Sequence, residues 1–222
     1  VSKAALIAIG VNTQGELRVL GLKITDSEAS VFWKAFLESL KARGLKGVEL
    51  VISDAHTGLK EAIHTSFLGA SWQRCWVHFM RNILSNTSKK SAAEVMPHLK
   101  SIMAFKTPES RKKAWLQVSE TFVENHPKIA KMMEDAMEDV LAHTHFPVEH
   151  WAKIYTSNPI ERLNKEIKRR TNCVGIFPND DAVMRLLGAI LIQQDEDWID
   201  SKAFLKPDSF KKCSTENAKS IK

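Results

Sequence analysis

The first half of the chain switches between strand-like and helix-like spacing of its apolar residues. Residues 4–11 are predicted to form a buried strand, residues 12–15 a turn, and residues 17–24 the second strand of a hairpin. Residues 25–28 are typical of a capping box at the start of a helix. The apolar residues that follow recur at helical spacing until Gly44 ends the helix; they are Phe32, Trp33, Phe36, Leu37 and Leu40.

A strand, a helix and another strand are predicted next. Residues 48–52 have the apolar pattern of a short buried strand, residues 58–67 that of a short helix, and residues 71–77 that of a further strand. Asp54 comes directly after the first of these strands. A carboxylate in that position lies at the edge of an α/β sheet where ligands and metals bind, although Asp54 could equally cap the next helix.

From residue 78 to about residue 150 the spacing is helical throughout. Helix starts are predicted near Ser91, at Thr107 and Pro108, and at Pro127, and a Met-rich stripe over residues 132–141 is typical of ordinary core. We therefore predict a helical insertion within an α/β domain. The predicted segments are residues 1–78 and 151–205 for the two parts of the core, 79–150 for the insertion and 206–222 for a basic tail.

A second acidic candidate begins a strongly basic helix. Asn158 is predicted to cap this helix, with Pro159 as its first residue and Glu161 as its third, an Asn-started variant of the capping box. The predicted buried face consists of Ile160, Leu163 and Ile167. Glu161 therefore has two interpretations: it caps its own helix, or it is a metal ligand beside cationic side chains. Those side chains are Arg162, Lys165, Lys168, Arg169 and Arg170. Glu166 stands four residues from both Arg162 and Arg170, which predicts ion pairs with these two on the helix surface.

Charge and composition narrow the functional classes. The 222 residues carry a net charge of +6, which favours a polyanionic partner, and 44% of them are hydrophobic, as in an ordinary globular protein. Three scattered cysteines do not make a disulfide framework, so we expect a reducing compartment. The sequence contains no apolar run of membrane-spanning length. Val1 as the first residue suggests a piece of a longer polypeptide.

Two stretches of the sequence resemble the Mutator-type transposases of bacterial insertion sequences. The first stretch has the family's spacing at Asp54, Gly58, Leu59, Ser66, Phe67, Ala70, Gln73, Cys75 and His78. It departs from the family pattern at Leu68, where Pro or Thr is expected. The second stretch, residues 158–170, reads Asn-Pro-x-Glu-Arg-x-Asn-x-Glu-x-Lys-Arg-Arg, and the similarity continues through residues 175–179 and 185–186 to residues 197–198.

The resemblance implies a fold, a chemistry and a set of site residues. The family has an RNase H-like fold of the retroviral-integrase type, in which two Asp and one Glu hold two Mg²⁺ (or Mn²⁺) ions for DNA strand cleavage and transfer. On this basis Asp54 is the second catalytic and metal-binding residue and Glu161 the third, in preference to Glu166. The family's first Asp precedes a hairpin, yet residues 1–24 contain only Glu16 as an acidic residue. We therefore expect the first strand, its Asp and the DNA-end-binding region to be missing and this piece to be nearly inert.

Other candidates lie near the first motif. Cys75 and His78 form half of a zinc site, but no second Cys/His pair stands at zinc spacing and His143 with His145 is only a loose possibility. We interpret Cys75 and His78 as a structural element of the family near the active site. His56 could touch a phosphate or simply cover the strand end. Trp72 and Trp76 are predicted to alternate with Cys75 along one strand.

The sequence thus predicts a fragment of a DDE transposase. Its expected partners are double-stranded DNA, contacted by Arg162, Lys165, Lys168, Arg169 and Arg170, and further copies of the protein, with no membrane. The expected location is the bacterial cytoplasm, at the nucleoid. Two alternatives remain open: a non-catalytic DNA-binding or regulatory remnant of a transposase, and a nuclease whose missing Asp comes from another chain.

Overall fold

The chain folds as a mixed α/β protein that is mostly helical, with two small sheets, in a computed structural model that describes residues 3–210. The strands are β1 (Ala4–Val11), β2 (Leu17–Thr25), β3 (Leu50–Ser53) and β4 (Ser71–Arg74). The first helices are α1 (Ser30–Ala42), α2 (Thr57–Ser66), α3 (Trp76–Ser85) and α4 (Lys89–Ile102). The others are α5 (Pro108–Thr121), α6 (Pro127–Leu141), α7 (Val148–Ile154), α8 (Asn158–Val174) and α9 (Asp180–Ile199), with a short 3₁₀ helix at Ala142–His145.

Two compact units share the chain. Among the described residues, the first unit takes 3–49, 56–70 and 157–210, and the second takes 50–55 and 71–156. The chain therefore passes from the first unit into the second and back twice. Within residues 3–210, none of the helices combines the length and the apolar character needed to cross a bilayer.

The first unit is built on the predicted hairpin. Strands β1 and β2 pair antiparallel, with Ala4 opposite Thr25 and Val11 opposite Leu17. The turn closes because the Asn12 side chain accepts hydrogen bonds from two backbone N–H groups, those of residues 14 and 16. Helices α8 and α9 pack against the hairpin through a buried cluster comprising Ile7, Leu163, Ile167, Leu187, Ile190 and Leu191.

An irregularity in the hairpin ties it to α9. The register shifts between Ala8 and Ile9, so that Leu20 has no partner across the ladder. The neighbouring Val19 N–H donates to Oδ1 of Asp195 at 2.7 Å, and the Arg18 guanidinium makes a bidentate ion pair with the same carboxylate. These hydrogen bonds fix α9 on the strand edge and hold the pKa of Asp195 below its usual value.

The second unit joins a two-stranded parallel sheet to a helical bundle. Strands β3 and β4 pair from Leu50 opposite Ser71 to Ser53 opposite Arg74. The bundle of α3, α4, α5 and α6 buries a continuous apolar cluster whose largest members are Trp76, Phe79, Trp115, Phe122 and Met133. The Met-rich stripe of α6 is thus ordinary core, as predicted: Met133 is fully buried and Met132 and Met137 pack against the cluster.

Several predicted boundaries were wrong. Helix α1 starts at Ser30 with Ala29 at its cap and no side-chain cap, so residues 25–28 are not a capping box. Strand β4 stops at Arg74, and Trp76 begins α3 instead of continuing the strand. Its N–H donates to the carbonyl of Tyr155, which takes it out of the ladder. Helix α4 begins at Lys89 behind a Ser88 cap instead of near Ser91.

The basic helix also begins one residue earlier than expected. Asn158 is the first residue of α8, and Ser157 occupies the cap position without a side-chain cap bond to the backbone. Leu163 and Ile167 are buried and Ile160 packs beside them, as predicted. The basic tail predicted for residues 206–222 lies, from residue 211 onward, outside the described residues.

Candidate functional site

Asp54 lies where the parallel strand pair ends. The ladder closes with the Cys75 N–H donating to the carbonyl of Ser53 at 2.7 Å, and Asp54 is the next residue. The Ser53 hydroxyl donates to the Asp54 carbonyl at 2.8 Å and accepts from the Trp72 indole at 2.9 Å. The backbone at Asp54 is therefore held on both sides, while its side chain is exposed. A carboxylate fixed at the carboxyl end of a parallel pair is well placed for a ligand.

Cys75 and His78 come together in the second unit. Cys75 is fully buried at the cap position of α3, and His78 is half-buried in the first turn. The Cys75 sulfur and a ring nitrogen of His78 lie within 4.8 Å of each other. A thiol and an imidazole suit Zn²⁺, whereas Mg²⁺ prefers oxygen donors. Asp54 is thus the residue here whose chemistry fits Mg²⁺.

Gln73, a residue of the first motif, connects β4 to the helical bundle. Its side chain is completely buried. The amide nitrogen donates to the Val140 carbonyl at 2.7 Å, and the amide oxygen accepts from the His143 backbone N–H at 2.7 Å. Because all these groups are buried, Gln73 supplies hydrogen bonds that water cannot; the Val140 carbonyl also lies 3.0 Å from Nδ1 of His143. Its role in the structure is to hold the strand on the bundle.

Arg111 and His143 extend this buried network. Nη1 of Arg111 lies 2.6 Å from Nε2 of His143, and its Nη2 donates to the carbonyls of Met103 and Phe105. The guanidinium also lies over the Trp151 ring at 4.3 Å. His143 Nδ1 stands 3.0 Å from the Gln73 oxygen, so the imidazole is neutral, with Nδ1 donating and Nε2 accepting. Both ring nitrogens are engaged, and His143 does not complete a zinc site.

Burial and a neighbouring cation set the ionisation of this network. Desolvation, reinforced by the charge of Arg111, lowers the pKa of His143 to about 3. Burial also lowers the pKa of Arg111. Sequence analysis did not identify Gln73, Arg111 and His143 as partners, because 32 and 70 positions separate the bonded residues.

Arg74 is another residue that sequence analysis missed. It is half-buried as the last residue of β4, and its guanidinium lies 5.0 Å from the centre of the Phe79 ring. Burial lowers its pKa, with an opposing contribution from Asp139. A half-buried cation at the end of the strand pair is a candidate for contact with an anion, although nothing in its sequence position marks it.

Glu161 lies in the first turn of α8, within the first unit. The Ser157 hydroxyl donates to its Oε1 at 3.3 Å, and the Glu161 N–H donates to the Ser157 carbonyl. The predicted association of Glu161 with its own helix start is thus present, through Ser157 instead of Asn158. A carboxylate in a first helical turn is favoured by the helix dipole. The side chain is half-buried, and its oxygens are donors of the kind that Mg²⁺ takes.

The cationic residues of α8 differ in how their charges are used. Glu166 accepts hydrogen bonds from Arg169 at 2.7 and 2.9 Å and from Arg170 at 2.6 Å. These bonds lower the pKa of Glu166 to about 2. The ion pair predicted between Glu166 and Arg162 is not among the pairs of the described residues, and Arg169 takes that place. Arg162, Lys165 and Lys168 are exposed on the same helix.

The two predicted metal ligands belong to different units, Asp54 to the second and Glu161 to the first. His56 is exposed and precedes α2, where its carbonyl accepts hydrogen bonds from the N–H groups of Leu59 and Lys60. Its backbone therefore starts the helix.

Comparison with known proteins gives this geometry a context. The family model described as "Transposase, Mutator family" matches residues 1–201. The chain is 42% identical to the transposase for insertion sequence element IS1081 of Mycobacterium tuberculosis, over 90% of this chain and 48% of that protein. It is 39% identical to the transposase for IS406 of Burkholderia multivorans, over 92% of this chain and 53% of that protein. It is 39% identical to the transposase for IS256 in transposon Tn4001 of Staphylococcus aureus, over 90% of this chain and 51% of that protein. The chain spans about half the length of the curated relatives it matches.

Proposed function

The chain belongs to the Mutator family of transposases, and we propose that it forms part of the catalytic core of an insertion-sequence transposase. The proposed reaction of the whole protein is Mg²⁺-dependent cleavage and transfer of DNA strands at the ends of the element. One observation carries the proposal: an exposed aspartate, Asp54, follows the parallel β3–β4 pair with its backbone fixed, inside a motif that matches the family.

Asp54 and Glu161 are the proposed metal ligands. Both are carboxylates. The backbone carbonyl of Asp54 accepts a hydrogen bond from the Ser53 hydroxyl, and the carboxylate of Glu161 accepts one from the Ser157 hydroxyl. When bound, two Mg²⁺ ions would activate the attacking oxygen and stabilise the leaving oxygen of a phosphodiester. The contribution of the chain itself is to position these two residues. We propose an RNase H-like fold for the complete core, because a hairpin followed by parallel strands separated by helices is the order that this fold requires.

The exposed cations of α8 are the proposed DNA contacts. Arg162, Lys165 and Lys168 carry their charge without an ion pair among the described residues, whereas Arg169 and Arg170 share theirs with Glu166. Contacts between such side chains and phosphates are independent of base sequence and weaken with salt. Double-stranded DNA is therefore the proposed partner, and assembly of several copies on it is part of the proposal for the whole protein.

In the proposed two-metal site a third carboxylate joins Asp54 and Glu161. The acidic residue nearest the hairpin turn is Glu16, whose carboxylate accepts a hydrogen bond from the Asn12 side chain at 2.7 Å and belongs to that turn. We therefore propose that a further segment of a longer protein supplies the third metal ligand and that the 222-residue chain alone lacks robust cleavage activity. A non-catalytic DNA-binding remnant is the alternative that the same observation favours.

Cleavage of a labelled element end in Mg²⁺ tests the proposal. We expect a longer protein that includes upstream sequence to cleave, its Asp54→Asn variant to bind DNA without cleaving, and the 222-residue chain to bind without cleaving. Cleavage by the Asp54→Asn variant at the wild-type rate would contradict the metal-ligand role. Failure of the longer wild-type protein to cleave, with DNA binding retained, would favour the non-catalytic alternative.

A further inference from the structure

The connection between α8 and α9 exposes apolar side chains beyond the end of the basic helix. Ile176 is 92% exposed, the highest value for a large hydrophobic residue among the described residues, and Val174 is 50% exposed. Phe177 is half-buried and Pro178 is exposed. We call residues 174–178 the apolar tip. Exposed apolar side chains that adjoin one another are unusual on a protein surface and mark sites of contact.

The tip is fixed at both ends. The Gly175 N–H donates to the Thr171 carbonyl at 3.2 Å, and Gly175 has a φ of 77°, which a residue with a side chain adopts only at a cost. At the other end, the Asn179 side chain accepts a hydrogen bond from the Ala182 N–H at 2.9 Å and caps α9. Because the helices hold both ends of a five-residue connection, Ile176 projects from a defined position.

The surface that leads to the tip is cationic. Lys168 and Arg169 are exposed one to two turns before Val174 on the same helix, and Arg169 shares its charge with Glu166. At 1.5 Å per residue, the six residues from Lys168 to Val174 cover about 9 Å, which is less than three base-pair steps of 3.4 Å. A duplex whose phosphates meet these cations would therefore have base steps within reach of the tip. The acidic first turn of α9 weakens the attraction between this surface and DNA phosphates in part. Its Asp180, however, is paired with Lys3 at 3.0 Å.

We propose that the apolar tip inserts into duplex DNA as a wedge that unstacks a base step, with Ile176 as the inserted side chain and Phe177 and Pro178 beside it. The proposal rests on the proposed function, because it takes DNA as the partner of α8. Ile, Phe and Pro are residue types that proteins insert between base pairs to kink a duplex. The cations of α8 bind the DNA phosphates, and the apolar tip contacts the bases. Affinity for DNA and distortion of the duplex therefore depend on different residues.

Competition between two duplexes tests the wedge with the 222-residue chain. One probe is a fully paired 30-base-pair duplex, and the other is the same duplex with a central two-base bulge. Because the bulge has already lost stacking, a protein that inserts a wedge binds it more tightly. We expect a preference of about tenfold, equivalent to about 1.4 kcal/mol. Ile176→Asn should reduce this preference to near unity while changing affinity for the paired duplex less than about twofold, whereas Ile176→Met should keep the preference.

Two controls make the result interpretable. Ile176 is exposed, so its replacement leaves the packed interior unchanged. Ile199→Asn makes the same chemical change at a 53% exposed position, about 28 Å along α9 from Asp180, and should keep the preference.

An unchanged bulge preference in Ile176→Asn would overturn the wedge and leave DNA binding standing. Absence of binding to either duplex would instead overturn the proposed function. Loss of self-association in Ile176→Asn, with the bulge preference unchanged, would assign the tip to a second copy of the chain.

Discussion

Nη1 of Arg111 lies 2.6 Å from Nε2 of His143, and both side chains are buried in the second unit. Within residues 3–210 Arg111 has no carboxylate partner. Its Nη1 meets His143, its Nη2 donates to the carbonyls of Met103 and Phe105, and its Nε has no hydrogen-bond partner. A buried cation satisfied only by neutral acceptors depends on each of them. Protonation of His143 would remove an acceptor and place a second positive charge beside the first.

Stability of the chain should therefore fall as the pH is lowered from 6.5 toward 5. The pKa of His143 is about 3 in the folded chain and near 6.5 in the unfolded chain, so the unfolded state binds more protons in this range. Because this histidine is half protonated in the unfolded chain at pH 6.5, its contribution between pH 6.5 and pH 5 is about 1.6 kcal/mol. Urea unfolding at several pH values measures it. Carboxylates titrate mainly below this range, which keeps the histidine effect visible.

A His143→Asn variant is the matched control for this pH effect. Asn can accept a hydrogen bond from Arg111 but does not titrate, so its free energy of unfolding should depend less on pH between 6.5 and 5. The difference between the two slopes isolates residue 143 from the other histidines. Equal slopes in the two proteins would show that His143 is not the group responsible.

Replacement of Gln73 should act on stability, although Gln73 belongs to a motif that is otherwise associated with the site. Gln73→Leu removes two buried hydrogen bonds inside the second unit, one to the Val140 carbonyl and one from the His143 backbone N–H. Each buried group left unsatisfied costs about 1–3 kcal/mol. We expect a lower urea midpoint and faster hydrogen exchange in β4, and Gln73→Glu should be at least as damaging because it buries a charge. A Gln73→Leu protein of normal stability would contradict this structural role.

The elements predicted well were those whose signals are local. The hairpin strands were assigned correctly because apolar alternation and the Asn12 turn act within 22 residues. The β4–α3 boundary was missed because Trp76 and Val77 favour strands by residue type, whereas the structure ends the ladder at Ser53 and directs the Trp76 N–H to Tyr155. This boundary depends on Tyr155, 79 positions away from Trp76, and the local spacing of apolar residues carries no information about so distant a partner.

In the candidate site, too, features set by local sequence were predicted and contacts between distant residues were not. Asp54 after its strand and Glu161 at its helix start are placed by local patterns, and the structure has them there. The division of charge on α8 was only half predicted, because Arg169 and Arg162 are both one helical turn from Glu166 and the sequence does not choose between them. The Gln73, His143 and Arg111 network escaped notice entirely, since only the fold brings its members together.

The three cations of α8 that have no ion pair within residues 3–210 should dominate the salt dependence of DNA binding. The triple variant Arg162→Ala, Lys165→Ala, Lys168→Ala should bind unrelated duplexes more weakly, with the slope of log affinity against log salt reduced by about 0.9 for each lost phosphate contact. The variant Lys168→Ala, Arg169→Ala, Arg170→Ala should lose less, because two of its cations are shared with Glu166.

A charge-matched control keeps this result specific. The helix α4 carries three exposed lysines, and their joint replacement changes the net charge by the same amount; they are Lys89, Lys90 and Lys100. Fluorescence anisotropy with a labelled duplex between 50 and 300 mM salt (roughly the range over which such contacts are lost) measures all three proteins. If the α4 variant flattens the slope as much as the α8 variant does, net charge and not this helix governs binding.

Glu161 and Glu166 should respond oppositely when their charge is removed in a longer, cleavage-competent protein. The Glu166 carboxylate is already occupied by the guanidinium groups of Arg169 and Arg170, and a metal ion would have to displace both. Glu161 accepts a hydrogen bond from the Ser157 hydroxyl and lies in a first helical turn that favours its negative charge. Glu161→Gln should therefore abolish Mg²⁺-dependent cleavage and leave DNA affinity largely unchanged, because it removes a ligand charge at the metal and no phosphate contact. Glu166→Gln should retain cleavage and bind DNA more tightly, with a steeper salt slope, since two arginines become available to phosphates.

Cleavage of a labelled element end and anisotropy titrations on the same preparations separate the two effects. An inactive Glu166→Gln protein beside an active Glu161→Gln protein would reverse the assignment of the acidic residue.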